Sequence, residues 1–272
     1  MIRLAVRAPS AAAEQVLAAL LELAPSGVEQ VDGEGYVEFA VYGSPGELPE
    51  LDEGEADVGG VRVTVSGREV PGDWAERWKR FHVPVLIGGR LYVRPPWEQA
   101  AVRPGVLDLV IDPGRAFGTG AHATTRLSLE LLLELAKDGV RGSVCDLGCG
   151  SGVLSIAAAR LGLGPVTALD ADGLAVEATR ANARENGVLL DRVERVNLRD
   201  EPAPAADLVL ANLMRPLLLR VAELMHQPPL TLIASGLLDH EADEVAAAFA
   251  PLQERCRRSE HGWTAVLLKL PG

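Results

Sequence analysis

One glycine-rich stretch constrains the fold more than any other part of this 272-residue chain. Residues 144–147 are mostly apolar, and Gly148, Gly150 and Gly152 then alternate with small residues before an apolar run to Leu161. This order predicts a buried parallel strand, a tight turn and the first turn of a helix. Glycine suits a turn where φ is positive or a ligand comes close to the backbone. The N–H groups of the helix start favour an electron-rich ligand group, so the stretch predicts a binding site.

The spacing of these glycines separates two classes of site. A dinucleotide site has Gly-x-Gly-x-x-Gly, whereas here Asp146 precedes Gly148 by two residues in the pattern Asp-x-Gly-x-Gly-x-Gly. This pattern resembles motif I of the Rossmann-like class I methyltransferases that use S-adenosylmethionine. The resemblance implies that Asp146 faces the amino group of the methionine moiety. A second acid, Asp170, ends the next predicted strand, where the ribose hydroxyls are expected. A glycine turn in another kind of α/β enzyme is the alternative.

Strands and helices are predicted to alternate after the glycine turn. Alternation of this kind is typical of a doubly wound, mostly parallel sheet, so the predicted fold class is α/β. Ligands of such sheets bind beside the carboxyl ends of the strands. The predicted strands are 166–169, 193–197, 206–210, 230–234 and 264–270, and the predicted helices are 154–161, 174–186, 216–225 and 241–249.

Residues 1–70 predict a separate, smaller domain. A strand at 2–7, a helix at 10–23 and a hairpin over 28–41 are followed by a loop and a late strand at 61–65. This β-α-β-β order with a late strand is typical of a small ferredoxin-like α+β domain. The shape alone says nothing about activity.

Residues 71–97 are predicted to link this domain to the methyltransferase domain at 98–272. A short helix in the linker would carry Trp74, Trp78 and Phe81 on one face. Packing of one domain on the other is the ordinary role of such a face, and stacking on a substrate is the alternative.

The charge balance argues against direct nucleic-acid binding. The formal net charge is −12, and nucleic-acid binders normally display a basic stripe. Residues 1–70 hold four arginines against thirteen acidic residues, which gives 4 − 13 = −9. This acidity either serves solubility or attracts a basic protein partner.

Further features indicate a cytoplasmic protein that does not enter a membrane. There is no apolar run long enough to span a bilayer, and the first residues start a strand without a signal-peptide pattern. Three cysteines are too few and too unevenly placed for a disulfide framework. The sequence does not determine the oligomeric state, for which a monomer is the default expectation.

Residues 112–125 form a second glycine-bearing segment, which is predicted to be a loop ending in two helix caps, Thr124 and Thr125. No Gly-Lys-Ser/Thr follows, so it is not a phosphate loop. His122 has no Cys, His or acid at ligand spacing, so no metal is predicted, and a loop hydrogen bond is its default role. Phe117 is expected either to pack in the core or to line an acceptor pocket.

Asn212 follows a predicted strand, and the residues after it indicate which kind of nitrogen would accept the methyl group. Methyltransferases that act on glutamine or on exocyclic DNA amines carry Asn or Asp followed by Pro-Pro and an aromatic residue at this position. Here Asn212 is followed by Leu213, Met214 and Arg215. The platform for a planar nitrogen is therefore absent from the sequence, which favours a tetrahedral amine as the acceptor.

Together these motifs resemble the PrmA family, the methyltransferases of ribosomal protein L-eleven. The resemblance runs from about residue 73 to the end, and the first 70 residues match in length and element order without a quotable motif. The matching residues are the aromatic linker, Asp112-Pro113-Gly114-x-Ala116-Phe117-Gly118-Thr119-Gly120-x-His122-x-Thr124-Thr125, motif I, Asp170, Ala211-Asn212-Leu213 and a turn at Ser235-Gly236-Leu237-Leu238.

The resemblance implies the roles of individual residues. The expected cofactor-binding residues are Thr125, Asp146, Gly148, Gly150, Gly152, Asp170 and Asn212, with S-adenosylmethionine as the cofactor. The expected acceptor-side positioning residues are Asn212, Phe117 and His122. A general-base role for His122 is the alternative. Because the sulfonium carries an activated methyl group, positioning is the main demand on the protein, and no obligatory nucleophile is predicted.

The resemblance also implies the reaction and the partner. The expected activity is methylation of lysine ε-amines and of an N-terminal α-amine in the basic large-subunit ribosomal protein L-eleven. The alternatives are a methyltransferase of the same build that acts on another protein or a small amine, and a cofactor-binding module without turnover.

Overall fold

The chain divides into two compact units, Met1–Phe81 and His82–Gly272. The predicted linker helix with Trp74, Trp78 and Phe81 lies outside the described residues, as does Phe117. The computed structural model describes residues 2–23, 28–33, 35–43, 48–49, 51, 54–69, 82–100, 103–113 and 120–271.

The first unit contains a five-stranded antiparallel sheet and one helix in the part described. The strand order is β2-β3-β1-β5-β4. The elements are β1 (Ile2–Pro9), a 3-10 turn (Ser10–Ala12), α1 (Ala13–Leu23), β2 (Glu29–Gly33), β3 (Tyr36–Gly43), β4 (Gly54–Val58) and β5 (Val61–Glu69).

Strand β4 was not predicted from the sequence, which assigned its residues to a loop. It lies at the edge of the sheet, and only Val58 among its five residues is buried. An edge strand with so few buried positions has no apolar alternation to reveal it.

The two faces of this sheet differ in chemistry. Leu4, Val6 and Phe39 are buried with Leu20 of α1 in the core. On the other side Glu38 receives hydrogen bonds from Arg3 and Arg7, each at 2.7 Å. Two of the few cations of this acidic unit are therefore neutralised internally.

The second unit is built on a seven-stranded, mostly parallel sheet. The elements before the sheet are β6 (Val85–Ile87), β7 (Leu91–Arg94), β8 (Leu107–Val110) and α2 (Ala123–Lys137). The sheet and its helices comprise β9 (Val144–Leu147), α3 (Val153–Arg160), β10 (Val166–Asp170), α4 (Gly173–Glu185), β11 (Arg192–Arg195), β12 (Leu208–Asn212), α5 (Arg215–Leu224), β13 (Thr231–Leu238), a 3-10 turn (Asp239–Glu241), α6 (Ala242–Ala248), β14 (Gln253–Glu260) and β15 (Trp263–Lys269).

The strand order shows where a ligand-binding crevice is expected in this sheet. The order is β11-β10-β9-β12-β13-β15-β14, with β9 to β13 parallel and with β15 antiparallel to both of its neighbours. The chain reverses its direction of strand addition between β9 and β12, which is the switch point where ligands of open α/β sheets bind. The predicted α/β class with a mostly parallel sheet is confirmed.

Helices cover both faces of this sheet. Leu131, Ile156 and Ala183 place α2, α3 and α4 in one buried cluster, and Leu218 and Val245 place α5 and α6 in the other. Apolar runs such as Leu208–Asn212 fit strands that are buried on both faces. Within the described ranges, no helix has the length and apolar character needed to cross a bilayer.

A three-stranded sheet packs beside this core. Its order is β6-β7-β8, with β6 antiparallel and β8 parallel to β7. Arg94 of β7 binds both carboxylate oxygens of Asp108 and also donates to the Glu98 carbonyl at 2.7 Å. These contacts fix the segment that follows β7.

The segment Ser235-Gly236-Leu237-Leu238 was assigned to a turn from its sequence, and the structure corrects this. It belongs to β13, whose pairing with β15 shifts register between Ala234 and Leu237. Gly236 has a φ of +84°, which permits a bulge that continues the strand where a turn was expected.

Candidate functional site

The glycine turn after β9 has the backbone geometry expected from its sequence. Gly148, Gly150 and Gly152 have φ angles of +68°, +52° and +83°. The N–H groups of Gly148 and Cys149 both donate to the carbonyl of Leu169, at 2.8 and 2.9 Å. The turn is thus fastened to the end of the neighbouring strand β10, beside the switch point.

Asp170 ties the same turn to the start of α4. Its Oδ2 accepts a hydrogen bond from the Gly150 N–H at 2.9 Å, and its Oδ1 accepts one from the Asp172 N–H at 2.9 Å. Burial raises the pKa of this carboxyl above its usual value, while the backbone N–H donors oppose that shift. The half-buried carboxylate can also accept hydrogen bonds from ligand hydroxyls, because each oxygen has two lone pairs.

Asp146 lies beneath the turn. It is 1% exposed, and its Oδ2 accepts hydrogen bonds from the Ser155 N–H at 3.0 Å and from the Ser155 hydroxyl at 2.5 Å. Its Oδ1 is buried and has no hydrogen-bond partner among the described residues. Burial is the main cause that raises the pKa of Asp146 to about 7. A buried acceptor without a donor is unfavourable, so a ligand that donates to Oδ1 would be stabilised there.

The raised pKa of Asp146 predicts a pH dependence of stability in the ligand-free protein. Between its ordinary pKa of 3.8 and about 7 the folded state holds more protons than the unfolded state. The free energy of unfolding therefore falls as the pH rises through this window, by at most about 1.4 kcal/mol per pH unit. Urea denaturation of Asp146→Asn across the window should lack this contribution.

A control distinguishes this effect from a general loss of charge. Hydrogen bonds from Ser143 lower the pKa of Asp207 below its ordinary 3.8. Asp207 is ionised in both the folded and the unfolded state above about pH 5, so Asp207→Asn should leave the slope between about pH 5 and about 7 unchanged. An Asp146→Asn slope equal to that of the wild type would contradict the assignment.

Asn212 and Thr125 meet at the end of β12, although 87 positions separate them. The Nδ2 of Asn212 donates to the Thr125 hydroxyl at 3.4 Å. The carbonyl of Thr124 accepts hydrogen bonds from the hydroxyls of Ser128 and Ser235, at 2.9 and 3.1 Å. The start of α2 is thereby fixed to the ends of β12 and β13, next to the glycine turn.

Leu213 packs against two glycines of the site. A Cβ at Gly148 would lie 2.3 Å from the Leu213 Cδ2, and a Cβ at Gly236 would lie 2.5 Å from the Leu213 carbonyl oxygen. The Leu213 N–H donates to the Ser235 carbonyl at 3.0 Å. Leu213 therefore connects the glycine turn to β13 and holds Asn212 in its place.

His122 is the N-cap of α2, a role for which the sequence favoured Thr124 and Thr125. Its Nδ1 lies 3.4 Å from the Thr124 N–H nitrogen and 2.9 Å from the Thr124 hydroxyl. Burial lowers the pKa of His122 to about 4, and its ring packs edge-on against Trp263 at 5.0 Å. Thr124 and Thr125 lie inside the first turn, because the helix begins at Ala123.

Sequence reasoning missed three polar residues on the inner face of α4. Thr179 donates to the Gly150 carbonyl at 2.9 Å, and the Nδ2 of Asn182 donates to the Ser151 carbonyl at 2.8 Å. Asn186 is the third. All three are buried, at 0%, 3% and 9% exposure. Their spacing of three and then four residues puts them on one helix face, and this was the available signal.

The structure therefore gathers most of the predicted site residues at one edge of the sheet. The glycine turn, Asp170, Thr125 and Asn212 lie around the ends of β9, β10 and β12, Asp146 lies beneath the turn, and Phe117 lies outside the described residues. Positive-φ backbone, two carboxylates and an amide are suited to a ligand that carries donors and hydroxyls.

Sequence comparisons with known proteins indicate one family. The family described as ribosomal protein L11 methyltransferase (PrmA) matches residues 47–270. A ribosomal protein L11 methyltransferase of Pelotomaculum thermopropionicum is 42% identical over 204 residues, which cover 73% of this chain and 66% of the relative. One of Caldanaerobacter subterraneus subsp. tengcongensis is 35% identical over 229 residues, covering 82% of this chain and 72% of the relative.

A solved structure is also similar. The crystal structure of the ribosomal protein L11 methylase of Lactobacillus delbrueckii subsp. bulgaricus aligns with a TM-score of 0.62 and 26% identity, covering 70% of this chain and 100% of that chain. The matched part of the present chain spans about two thirds of the length of these curated relatives, and 66% in two of them.

Proposed function

The chain belongs to the ribosomal protein L11 methyltransferase (PrmA) family, and on this premise we propose that it methylates ribosomal protein L11. The proposed reaction transfers methyl groups from S-adenosylmethionine to lysine ε-amines and to the N-terminal α-amine of that protein. One observation carries the proposal. The glycine turn, Asp170 and the Asn212–Thr125 pair lie together at the switch point of the sheet.

The residues present fit S-adenosylmethionine. The buried Oδ1 of Asp146, which has no partner in the part of the chain that the structure describes, suits the amino group of the methionine moiety. The half-buried carboxylate of Asp170 suits the ribose hydroxyls. Gly148, Gly150 and Gly152 line the ligand with backbone alone, and Thr125 and Asn212 complete the proposed cofactor set. When bound, the cofactor supplies a methyl group activated by its sulfonium.

On the acceptor side we assign positioning to Asn212, Phe117 and His122. A free lysine has a pKa near ~10.4, so the attacking amine must lose its proton on entering a desolvated pocket. Placement of the amine in line with the methyl group is then the main contribution of the protein. The Asn212 amide, held by Thr125 and by the packing of Leu213, is rigid enough for that role.

We assign substrate recognition to residues 1–70 as a ferredoxin-like domain, a linker role to 71–97, whose strands β6 and β7 pack within the second unit, and catalysis to 98–272. Four neighbouring strands of the first unit, in the order β2-β3-β1-β5, support a ferredoxin-like arrangement. The charge of residues 1–70, which is −9 from four arginines against thirteen acids, suits a basic ribosomal protein.

The proposal is tested by methyl transfer to a defined substrate. The purified chain is incubated with labelled S-adenosylmethionine and purified L11, and the product is analysed by intact mass. We expect L11 to gain mass in successive methyl steps. Label on another protein of a lysate, with none on L11, would overturn the substrate. Cofactor binding without any transfer would overturn the enzyme and leave a binding module.

His122 is expected to help position the acceptor amine and not to act as a general base. Because burial holds its pKa at about 4, it is a weak base, and its Nδ1 already caps α2. His122→Asn keeps a capping side chain, and at saturating cofactor and substrate its kcat should stay within about threefold of the wild type. General-base catalysis contributes about 100-fold or more, so a loss of that size together with a changed pH dependence of kcat would assign the proton to His122.

A further inference from the structure

The inner face of α4 touches both the glycine turn and the segment that follows β8. Asn182 makes both contacts with one amide group. Its Nδ2 donates to the Ser151 carbonyl at 2.8 Å and to the Asp112 carbonyl at 3.4 Å, and its Oδ1 accepts from the Asp112 N–H at 3.0 Å. Asp112 lies two residues beyond Val110, the last residue of β8. This amide is a bridge between two segments that are 39 positions apart in the sequence, 151 − 112 = 39.

The glycine turn needs such a bridge because its own residues restrain it weakly. Glycine populates many backbone conformations, so three alternating glycines lose much entropy when they are fixed. Restraints from outside the turn lower the remaining freedom before a ligand arrives, and pre-organisation of this kind raises affinity.

We propose that Asn182 is a positioning residue for the cofactor, which holds the glycine turn through the Ser151 carbonyl at a fixed place relative to Asp112. Thr179 supports the same turn through the Gly150 carbonyl at 2.9 Å. The inference rests on the proposed function, since it assigns Asn182 a part in binding S-adenosylmethionine.

Asn186 provides a matched control in the same helix. Its Oδ1 accepts from the Val110 N–H at 2.9 Å and its Nδ2 donates to the Val110 carbonyl at 2.6 Å. It has the same side chain as Asn182, a similar burial of 9% against 3% exposure, and a similar pair of backbone contacts. Within the described part of the chain, its side-chain hydrogen bonds go to Val110 and to the Asn182 carbonyl and not to the glycine turn, so its loss should affect stability alone.

The experiment measures binding of S-adenosylhomocysteine by calorimetry and thermal unfolding in the full chain. Asn182→Ala and Thr179→Val should raise the Kd about tenfold or more, the expected size for a lost buried hydrogen bond. Asn186→Ala should lower the Tm to a similar extent with a Kd within twofold of the wild type. Equal Kd values in Asn182→Ala and Asn186→Ala would overturn the inference.

A second variant guards against misfolding. Asn182→Ser places no charge in the buried site and loses the amide donor to Ser151, so we expect it to fold and to bind the ligand about tenfold more weakly. In the ligand-free protein, amide exchange at Gly150 and Gly152 should quicken in both Asn182 variants and not in Asn186→Ala. Unchanged exchange at these two amides would overturn the role. A wild type that binds no S-adenosylhomocysteine would instead overturn the proposed function.

Discussion

Replacement of Asp170 by alanine is expected to raise the Kd for S-adenosylmethionine at least 100-fold. The carboxylate accepts from the N–H groups of Gly150 and Asp172, both at 2.9 Å, and in the proposed complex it also accepts from the ribose hydroxyls. Removal of the carboxylate eliminates the contacts with the ligand and also the hydrogen bond that restrains the glycine turn. Two charge-assisted hydrogen bonds at about 1.5–3 kcal/mol each account for a change of this size. Calorimetric titration of the folded variant measures it.

A control for Asp170→Ala lies at the other end of the same strand. Asp191 uses its Oδ2 to accept from the Val166 N–H at 2.8 Å, where β10 begins. Asp191→Ala therefore removes one negative charge and one backbone contact without touching the glycine turn. Its Kd should stay within about twofold of the wild type. Equal losses in the two variants would mean that net charge, and not the site, governs affinity.

The second large effect is expected from Gly236→Ala. The new Cβ would lie 2.5 Å from the carbonyl oxygen and 2.8 Å from the carbonyl carbon of Leu213. These are backbone atoms of the residue after Asn212, so no side-chain rotation relieves the clash. We expect a loss of about 3 kcal/mol in the free energy of unfolding and a loss in kcat of about 100-fold, because displacement of a positioning group by about 1 Å has that effect.

Urea denaturation and single-turnover methyl transfer would measure the two effects separately. Gly139→Ala is the matched control, since Gly139 has a φ of +78° and its added Cβ would meet nothing within 4 Å. It carries the backbone strain of a positive φ, about 1–2 kcal/mol, without the clash. If Gly139→Ala loses as much kcat as Gly236→Ala, the packing of Leu213 does not position Asn212.

Local patterns were sufficient for the elements that carry the site. The apolar strands β9, β10 and β12 and the alternating glycines between them have strong periodicity and a strong breaker signal, and the turn adopts positive φ as expected. Strand β14 had no such signal. Its sequence Gln253–Glu260 is almost wholly polar, since it lies at the edge of the sheet. Pairing with β15 stabilises it, and that is a tertiary effect.

The long-range contacts of the site could not be read from the sequence. The Asn212 amide and the Thr125 hydroxyl meet because α2 starts beside the end of β12. The sequence placed Asp146 in the motif, yet its burial beneath the turn and its bond to Ser155 depend on how α3 packs. His122 as the N-cap of α2 likewise depends on where the preceding chain enters the helix.

The two asparagines of α4 also limit how the edge of the three-stranded sheet can pair with a strand of another chain. The outer edge of β8 presents backbone groups at Val110 and, just beyond the strand, at Asp112, and the amides of Asn186 and Asn182 occupy both residues. An uncovered edge of this kind would serve as a template for a strand of another chain, which is a common start of aggregation. The side-chain amides take the place of that strand at Val110 and Asp112, so the backbone groups of these two residues are not available for pairing with another chain.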